Sequence, residues 1–300
     1  MNEFTTTIQT APRTENPIEK IIKANLPPLP GSVFRILELL RDVNVPSPVL
    51  TEAVGCDPML AARLLRLANS SYYSQQNDIT TIQKAIDTIG MKALYDAIML
   101  GVAANTFAEE IGSAAGRAIW EHSLAVALVA REITDSSNMR GGENAFLCGL
   151  LHDIGKFVLL KADSKGFKKL WDTPDDDEMM KAEDKYFGIN HAEVGALLIN
   201  RWNLPPAIAD VTLYHHEPSK TRQGVFIAHV VNVAEDIAKA NGYGSRAENR
   251  EDVWLSDEVA FLQSDSIVAL RLTSAKMLEI WEKILPHLKE ILQGFGKARK

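Results

Sequence analysis

Apolar residues recur along this chain at intervals of three and four, and clean alternation is rare, which predicts a mostly or wholly helical protein. Prolines and glycines cut the pattern into segments. A first short helix is expected over residues 16–24. The run Leu26-Pro27-Pro28-Leu29-Pro30-Gly31 then breaks the chain before a helix of about ten residues capped by Ser32. Pro46 and Pro48 punctuate again, a short helix covers residues 50–54, and Asp57-Pro58 opens a longer one through Ala68. A polar loop over residues 69–78 leads to a helix near 81–89 stopped by Gly90, and to another over 91–107.

The second half carries polar residues on stripes that should face the core. In a helix over residues 114–133, Ile119, His122, Val126, Val129 and Ile133 follow at steps of 3, 4, 3 and 4, so His122 lies on the inward face. A helix from Asn144 treats His152 the same way, on a stripe with Ala145, Cys148 and Leu159, and Asp153 stands beside it. Inward polar groups need partners. The acidic stretch over residues 172–178 reads as a solvated loop and helix start, with no chemistry assigned to it. Asn190, with Glu193 three residues on, caps a helix running to Asn203 and puts His191 in its first turn. Pro205-Pro206 begins the next helix, whose last turn is Tyr214-His215-His216-Glu217 before Pro218. Residues 225–240 form a helix ended by Asn241-Gly242, and a polar loop and two or three helices complete the chain.

Composition narrows the function classes. The 300 residues, 46% hydrophobic and 24% charged, are enough for one large domain or two modest ones. The 32 Lys plus Arg against 39 Asp plus Glu give a net charge of −7, which argues against nucleic acid as the main partner. A helix-turn-helix over residues 50–67 is the feature that would support DNA binding, and it offers only Arg63 and Arg66 as cations. Cys56 and Cys148 sit in apolar stretches and read as core thiols of a reducing compartment. No apolar run reaches the roughly 18–20 residues of a membrane span, and no secretory leader is seen, so a cytoplasmic location is expected.

His122, His152-Asp153, His191, His215-His216 and a carboxylate at Glu235 or Asp236 thus come from separate helices. Imidazoles mixed with carboxylates suit iron, manganese, nickel or zinc better than magnesium or calcium. Each residue has an ordinary reading when taken singly. His122 could be a hydrogen-bonded core histidine, His215 and His216 could favour a helix C-terminus, Asp153 could pair with Lys156, and Glu235 could be solvated. Lys156 could equally lie on the surface. His229 and His287 read as structural, and Trp120, Trp202 and Tyr214 as core residues near the site.

The motifs together resemble the bacterial HDOD family of the HD metal-dependent phosphohydrolase superfamily. The resemblance rests on Gly149-Leu150-Leu151-His152-Asp153-Ile154-Gly155-Lys156, residues 191–198, Arg201-Trp202-Asn203-Leu204-Pro205 and Tyr214-His215-His216-Glu217-Pro218. Leu26-Pro27-Pro28-Leu29-Pro30, Asp57-Pro58 and residues 64–70 and 82–90 add to it. It implies an all-α fold with an N-terminal helical part (17–112) packed on an HD-like part (113–240), after a tail (1–16) and before a C-terminal helical extension (241–300). By similarity to the related HD-GYP phosphodiesterases, His122, His152, Asp153, His191, His215, His216 and Glu235 would hold one or two divalent transition-metal ions, iron or manganese first, nickel or zinc next. Asp153 would also orient an attacking water, and Lys156 would contact phosphate. Three departures stand out: Glu at 235 where Asp is usual, no Gly-Tyr-Pro loop after Pro218, and Ala118 where those enzymes can supply a carboxylate. The resemblance therefore implies a signalling module with a protein partner. The alternative is a phosphohydrolase acting on a phosphorylated small molecule such as a cyclic nucleotide.

Overall fold

The computed structural model describes residues 21, 26–42, 44–70, 79–137, 142–171, 173, 176–244 and 264–296. The expected tail, most of the first helix, most of the 69–78 loop, Asp172 and Pro174, and the loop over 245–263 lie outside the described residues. Among the described residues all regular structure is helical. None of these helices is long and apolar enough to cross a membrane.

Helices α1 (Gly31–Leu39), α2 (Ser47–Gly55) and α3 (Pro58–Ala68) pack in sequence onto α4 (Ile82–Thr106). Asp57 opens α3 as expected, its carboxylate accepting from the amides of Met59 and Leu60 at 3.1 Å. Gly90 interrupts α4 at φ 76°, a left-handed value that glycine tolerates, and the two halves abut without a loop. Two expectations fail here. Ser32 caps nothing, because the preceding Pro30 already supplies the carbonyl that accepts from Phe34 N at 3.0 Å. Helix α2 begins at Ser47 rather than Leu50, since Pro48 lies in a first turn whose amides need no intrahelical acceptor.

A short α5 (Ala108–Ile111) leads to α6 (Ala114–Ser137), which is surrounded by α7 (Ala145–Leu151), α13 (Val225–Ala240) and α15 (Ser274–Gly296). The remaining helices are α8 (Ile154–Ala162), which also touches α6, α9 (Ser164–Leu170), α10 (Asp176–Phe187), α11 (His191–Arg201), α12 (Pro206–Tyr214) and α14 (Asp265–Leu270), which packs on α13. One continuous apolar core runs through both halves. The buried Asp96–Arg131 ion pair ties α4 to α6, and the Arg131 guanidinium lies 4.1 Å from the Phe146 ring centroid. Trp202 Nε1 donates to the Pro27 carbonyl at 2.8 Å, so this tryptophan is a core anchor. Helix α11 stops at Arg201, short of Asn203, because Asn203 adopts φ 54° and turns the chain.

Cys148 is buried, whereas Cys56 is exposed: it follows the last turn of α2, outside the apolar stripe. Arg63 turns back onto α4, with Nη1 donating to the Gly101 carbonyl at 2.6 Å and Nη2 to Asn105 Oδ1 at 2.7 Å. One of the two cations of the helix-turn-helix reading is thereby committed to packing.

Candidate metal centre

The histidines converge because the helices that bear them pack on one another: α7 and α13 on α6, α11 on α8 and α12, and α12 on α7. The pattern from Ala145 to Leu159 is two helices rather than one, α7 and α8, and His152-Asp153 is the bend between them. The bend points both side chains into the core. His191 is the first residue of α11, where Asn190 caps through its carbonyl oxygen accepting from Glu193 N at 3.0 Å. Tyr214 ends α12, and His215 and His216 follow in the turn before Pro218. Glu235 projects from the middle of α13.

Every histidine of the deep cluster is held from behind. The Nδ1 atoms of His122, His152 and His215 lie 2.6, 2.7 and 2.7 Å from the carbonyl oxygens of Tyr243, Gly149 and Thr212. A carbonyl can only accept, so each Nδ1 carries the proton and each Nε2 is left as a donor of its lone pair. His191 Nδ1 lies 2.6 Å from Glu183 Oε2, which also accepts from the His191 backbone amide at 2.9 Å. The four Nε2 atoms then face one another and Asp153. His122 Nε2 is 3.3 Å from His152 Nε2, and Asp153 Oδ1 is 3.5 Å from His191 Nε2 and 3.7 Å from His215 Nε2. His216 Nε2, at the half-buried edge, lies 3.1 Å from His191 Nε2.

Two acceptors that face each other in a dry interior repel unless positive charge lies between them. Asp153 Oδ1 and His215 Nε2 are such a pair, both buried and both without a hydrogen-bond partner. The donor set fits a divalent transition metal on that ground: imidazoles held through their Nδ1 atoms, carboxylates, and orphaned lone pairs aimed inward. Several triads have ligand atoms within 4.8 Å of one another, namely His122/His152/Asp153, His191/His215/His216, His152/His215/Glu235 and Asp176/His216/Glu235.

The electrostatics agree. Burial pushes His122 and His216 down to about 4 and His215 well below the usual imidazole range, which keeps their lone pairs available. Burial alone would also lower His152, but the adjacent Asp153 carboxylate outweighs it and raises it. Burial opposes ionisation of Asp153, yet Lys156 and His152 hold it well below the usual carboxylate range, as Lys239 and His216 do for Glu235.

Placed in this geometry, the sequence candidates divide. His122, His152, Asp153, His191, His215, His216 and Glu235 come together, whereas Asp236 is in none of the triads. Lys156 is buried rather than on the surface, and its Nζ donates to Asp153 Oδ2 at 2.7 Å, so its contact is the carboxylate. The ordinary Asp153–Lys156 pairing and the cluster coexist. Two residues escaped the sequence reading. Glu183 orients His191, and Asp176, from the stretch assigned no chemistry, reaches the centre at its rim. The weak signals available were Glu183 eight residues before His191 and the apolar stripe that places Met179, Glu183 and Phe187 on the buried face of α10.

The HDOD domain pattern matches residues 26–218. The chain belongs to the HDOD family. An HDOD protein from Geobacter sulfurreducens is 25% identical, covering 90% of this chain and 93% of that one, with a TM-score of 0.71. A candidate phosphohydrolase from Shewanella amazonensis (20% identical, 94% and 99% covered, TM-score 0.69) shares the fold. So does a candidate signal-transduction protein from Marinobacter aquaeolei (20%, 93% and 64% covered, TM-score 0.67). A curated relative from Treponema pallidum is 22% identical over 195 residues, and the chain spans 38% of its length. Glu235 and Tyr243, which complete this HDOD protein's cluster, lie beyond the matched residues.

Proposed function

We propose that this HDOD protein is a metal-binding regulatory module, with the His/Asp cluster as its metal centre and a protein partner as its output. The observation that carries the metal reading is the orphaned pair Asp153 Oδ1 and His215 Nε2, buried 3.7 Å apart among imidazoles whose Nδ1 atoms are tied down. His122, His152, Asp153, His191, His215, His216 and Glu235 would hold one or two divalent ions, with iron or manganese ahead of nickel or zinc. Bound there, such an ion could acidify a water and polarise a phosphate ester.

The regulatory reading is preferred over rapid hydrolysis on burial. His122, His152, Asp153, His191 and His215 are all 0% exposed, and Lys156 is spent on Asp153. A phosphate could meet Lys156 only after that ion pair opened. One observation favours the hydrolase alternative: His216, Asp176 and Lys239 form a partly exposed rim, an edge at which a phosphorylated small molecule would enter.

Elemental analysis of the full chain, purified anaerobically without added metal or chelator, tests the proposal. Near-stoichiometric or double iron or manganese is expected. No bound transition metal, and none taken up on reconstitution, would leave the cluster as a hydrogen-bonded relic. Turnover of phosphodiesters by the metal-loaded chain would move the assignment to the hydrolase.

A further inference from the structure

The rim of the centre holds an acidic position that already contains a cation. Asp176 opens α10, Glu235 lies on α13, and their carboxylates come within 4.8 Å of each other and of the His216 ring nitrogen. Two carboxylates and an imidazole at that separation are a reasonable ligand set for a divalent ion. Lys239 enters the same space. One turn beyond Glu235 on the same helix, its Nζ sits 2.7 Å from Glu235 Oε1 and hydrogen-bonds Asp176 Oδ2. Glu235 is only 2% exposed at its side chain, and its other neighbours are the imidazoles of His152, His215 and His216. This is therefore not a surface pair of the common helical kind. The carboxylate faces the metal-ligand cluster, and the lysine reaches in to meet it.

We propose that the Lys239 ammonium is a tethered counter-cation that occupies the rim position and keeps a metal ion out of it, so that Lys239 limits how many ions the centre takes. The reason is competition for the same oxygens. A divalent ion at the rim would need Glu235 and Asp176, the two groups Lys239 holds, and would meet an ammonium at van der Waals distance. The lysine is fixed to α13, so it fills the place without the entropic cost that a free ion pays on binding. Lys156 plays the matching part deeper in, covering Asp153 Oδ2 and leaving Oδ1 for the imidazoles. The inference shares residues with the metal-centre reading but concerns the difference in metal content between two proteins, so each can fail alone.

The test is metal stoichiometry of the full chain after anaerobic reconstitution with manganese(II) alone and removal of unbound ion. Lys239→Met should bind about one equivalent more than wild type, and Lys239→Arg should show no gain. Adding Asp176→Asn to Lys239→Met should abolish the extra equivalent. Circular dichroism checks the fold of each, and Lys239→Gln replaces the Met variant if that one does not fold. Unchanged stoichiometry in a folded Lys239→Met or Lys239→Gln, or a gain that survives Asp176→Asn, would overturn the proposal. If wild type holds no metal and the variant one equivalent, the rim inference stands and the deep centre falls. If wild type is loaded and the variant is no different, the deep centre stands and the rim inference falls.

Discussion

At the scale of single residues, function depends on which ring nitrogen carries the proton. Tyr243, Gly149 and Thr212 fix three imidazoles through backbone carbonyls, and Glu183 fixes the fourth through a carboxylate. Removing a ligand should therefore cost metal and stability together. His152→Ala is expected to lose its ion and melt at a lower temperature, while His287→Ala, outside the cluster, should keep wild-type metal content. Equal metal in the two purified variants would defeat the assignment. Glu183→Ala makes a finer demand, because it leaves every ligand in place and removes only the carboxylate that holds the His191 ring and backbone amide. Metal affinity should fall by about 10–100-fold, read by competition with a chromophoric chelator, and an unchanged affinity would mean that Glu183 does not orient His191. His122 and His152 were legible in the sequence because a polar residue on an apolar stripe stands out, and His191, His215 and His216 because cap and proline signals place them at helix ends. Asp176 was not, because an acidic run at a helix start has an adequate local explanation, and Glu183 was not, because its partner His191 lies in the next helix. What makes Asp176 different is Lys239, 63 residues away.

At the scale of elements, local rules located most helix ends and missed those set by neighbours. Asp57, Gly90 and Asn190 act as their chemistry implies, since a cap or a positive φ is decided within a few residues. The end of α11 at Arg201 depends on the left-handed Asn203, whose carbonyl accepts from Arg41 Nη2 at 2.9 Å, and the periodicity of α11 contains no trace of that contact. The bend at His152-Asp153 is set by packing too. Gly155, in the first turn of α8, lies so close to α11 that an added Cβ would come 1.9 Å from the His191 carbonyl oxygen and 2.8 Å from Gly195 N. Backbone cannot yield as a side-chain tip can. Gly155→Ala should thus push α8 off α11, separate Asp153 from His191, and destabilise by about 3 kcal/mol or more. Gly55→Ala provides the contrast: its Cβ would meet only Ile82 Cδ1 at 3.6 Å, so stability should hold or rise by up to about 1 kcal/mol. Thermal melts with parallel metal analysis separate the two. A Gly155→Ala protein with wild-type melting and metal content would show that this close approach does not hold the site.

Across the whole molecule, the N-terminal helices and the histidine-bearing half share one core, and among the charged links between them the buried one joining α4 to α6 is Asp96 with Arg131. Burial pushes Asp96 up to about 6 from 3.8, despite the neighbouring Arg131. A folded state that holds a carboxyl proton more tightly than the unfolded chain is favoured by acid. Stability from this group should be greatest near pH 4 and fall as pH rises towards 6, by about 3 kcal/mol in all. His122 and His216 act in the opposite sense. Their folded values near 4 lie below the unfolded value, so they disfavour the fold as pH falls from 6.5. Comparing wild type with Asp96→Asn cancels the histidines, because both proteins contain them. The variant should be less stable overall, since Arg131 loses its buried partner. The informative quantity is the slope: wild-type stability minus variant stability, from urea unfolding at intervals between pH 4 and pH 7, should decrease as pH rises and level off above Asp96's raised value. A difference that is flat, or that grows with pH, would mean that Arg131 holds Asp96 ionised throughout and that the link between the two halves is a full ion pair across this range.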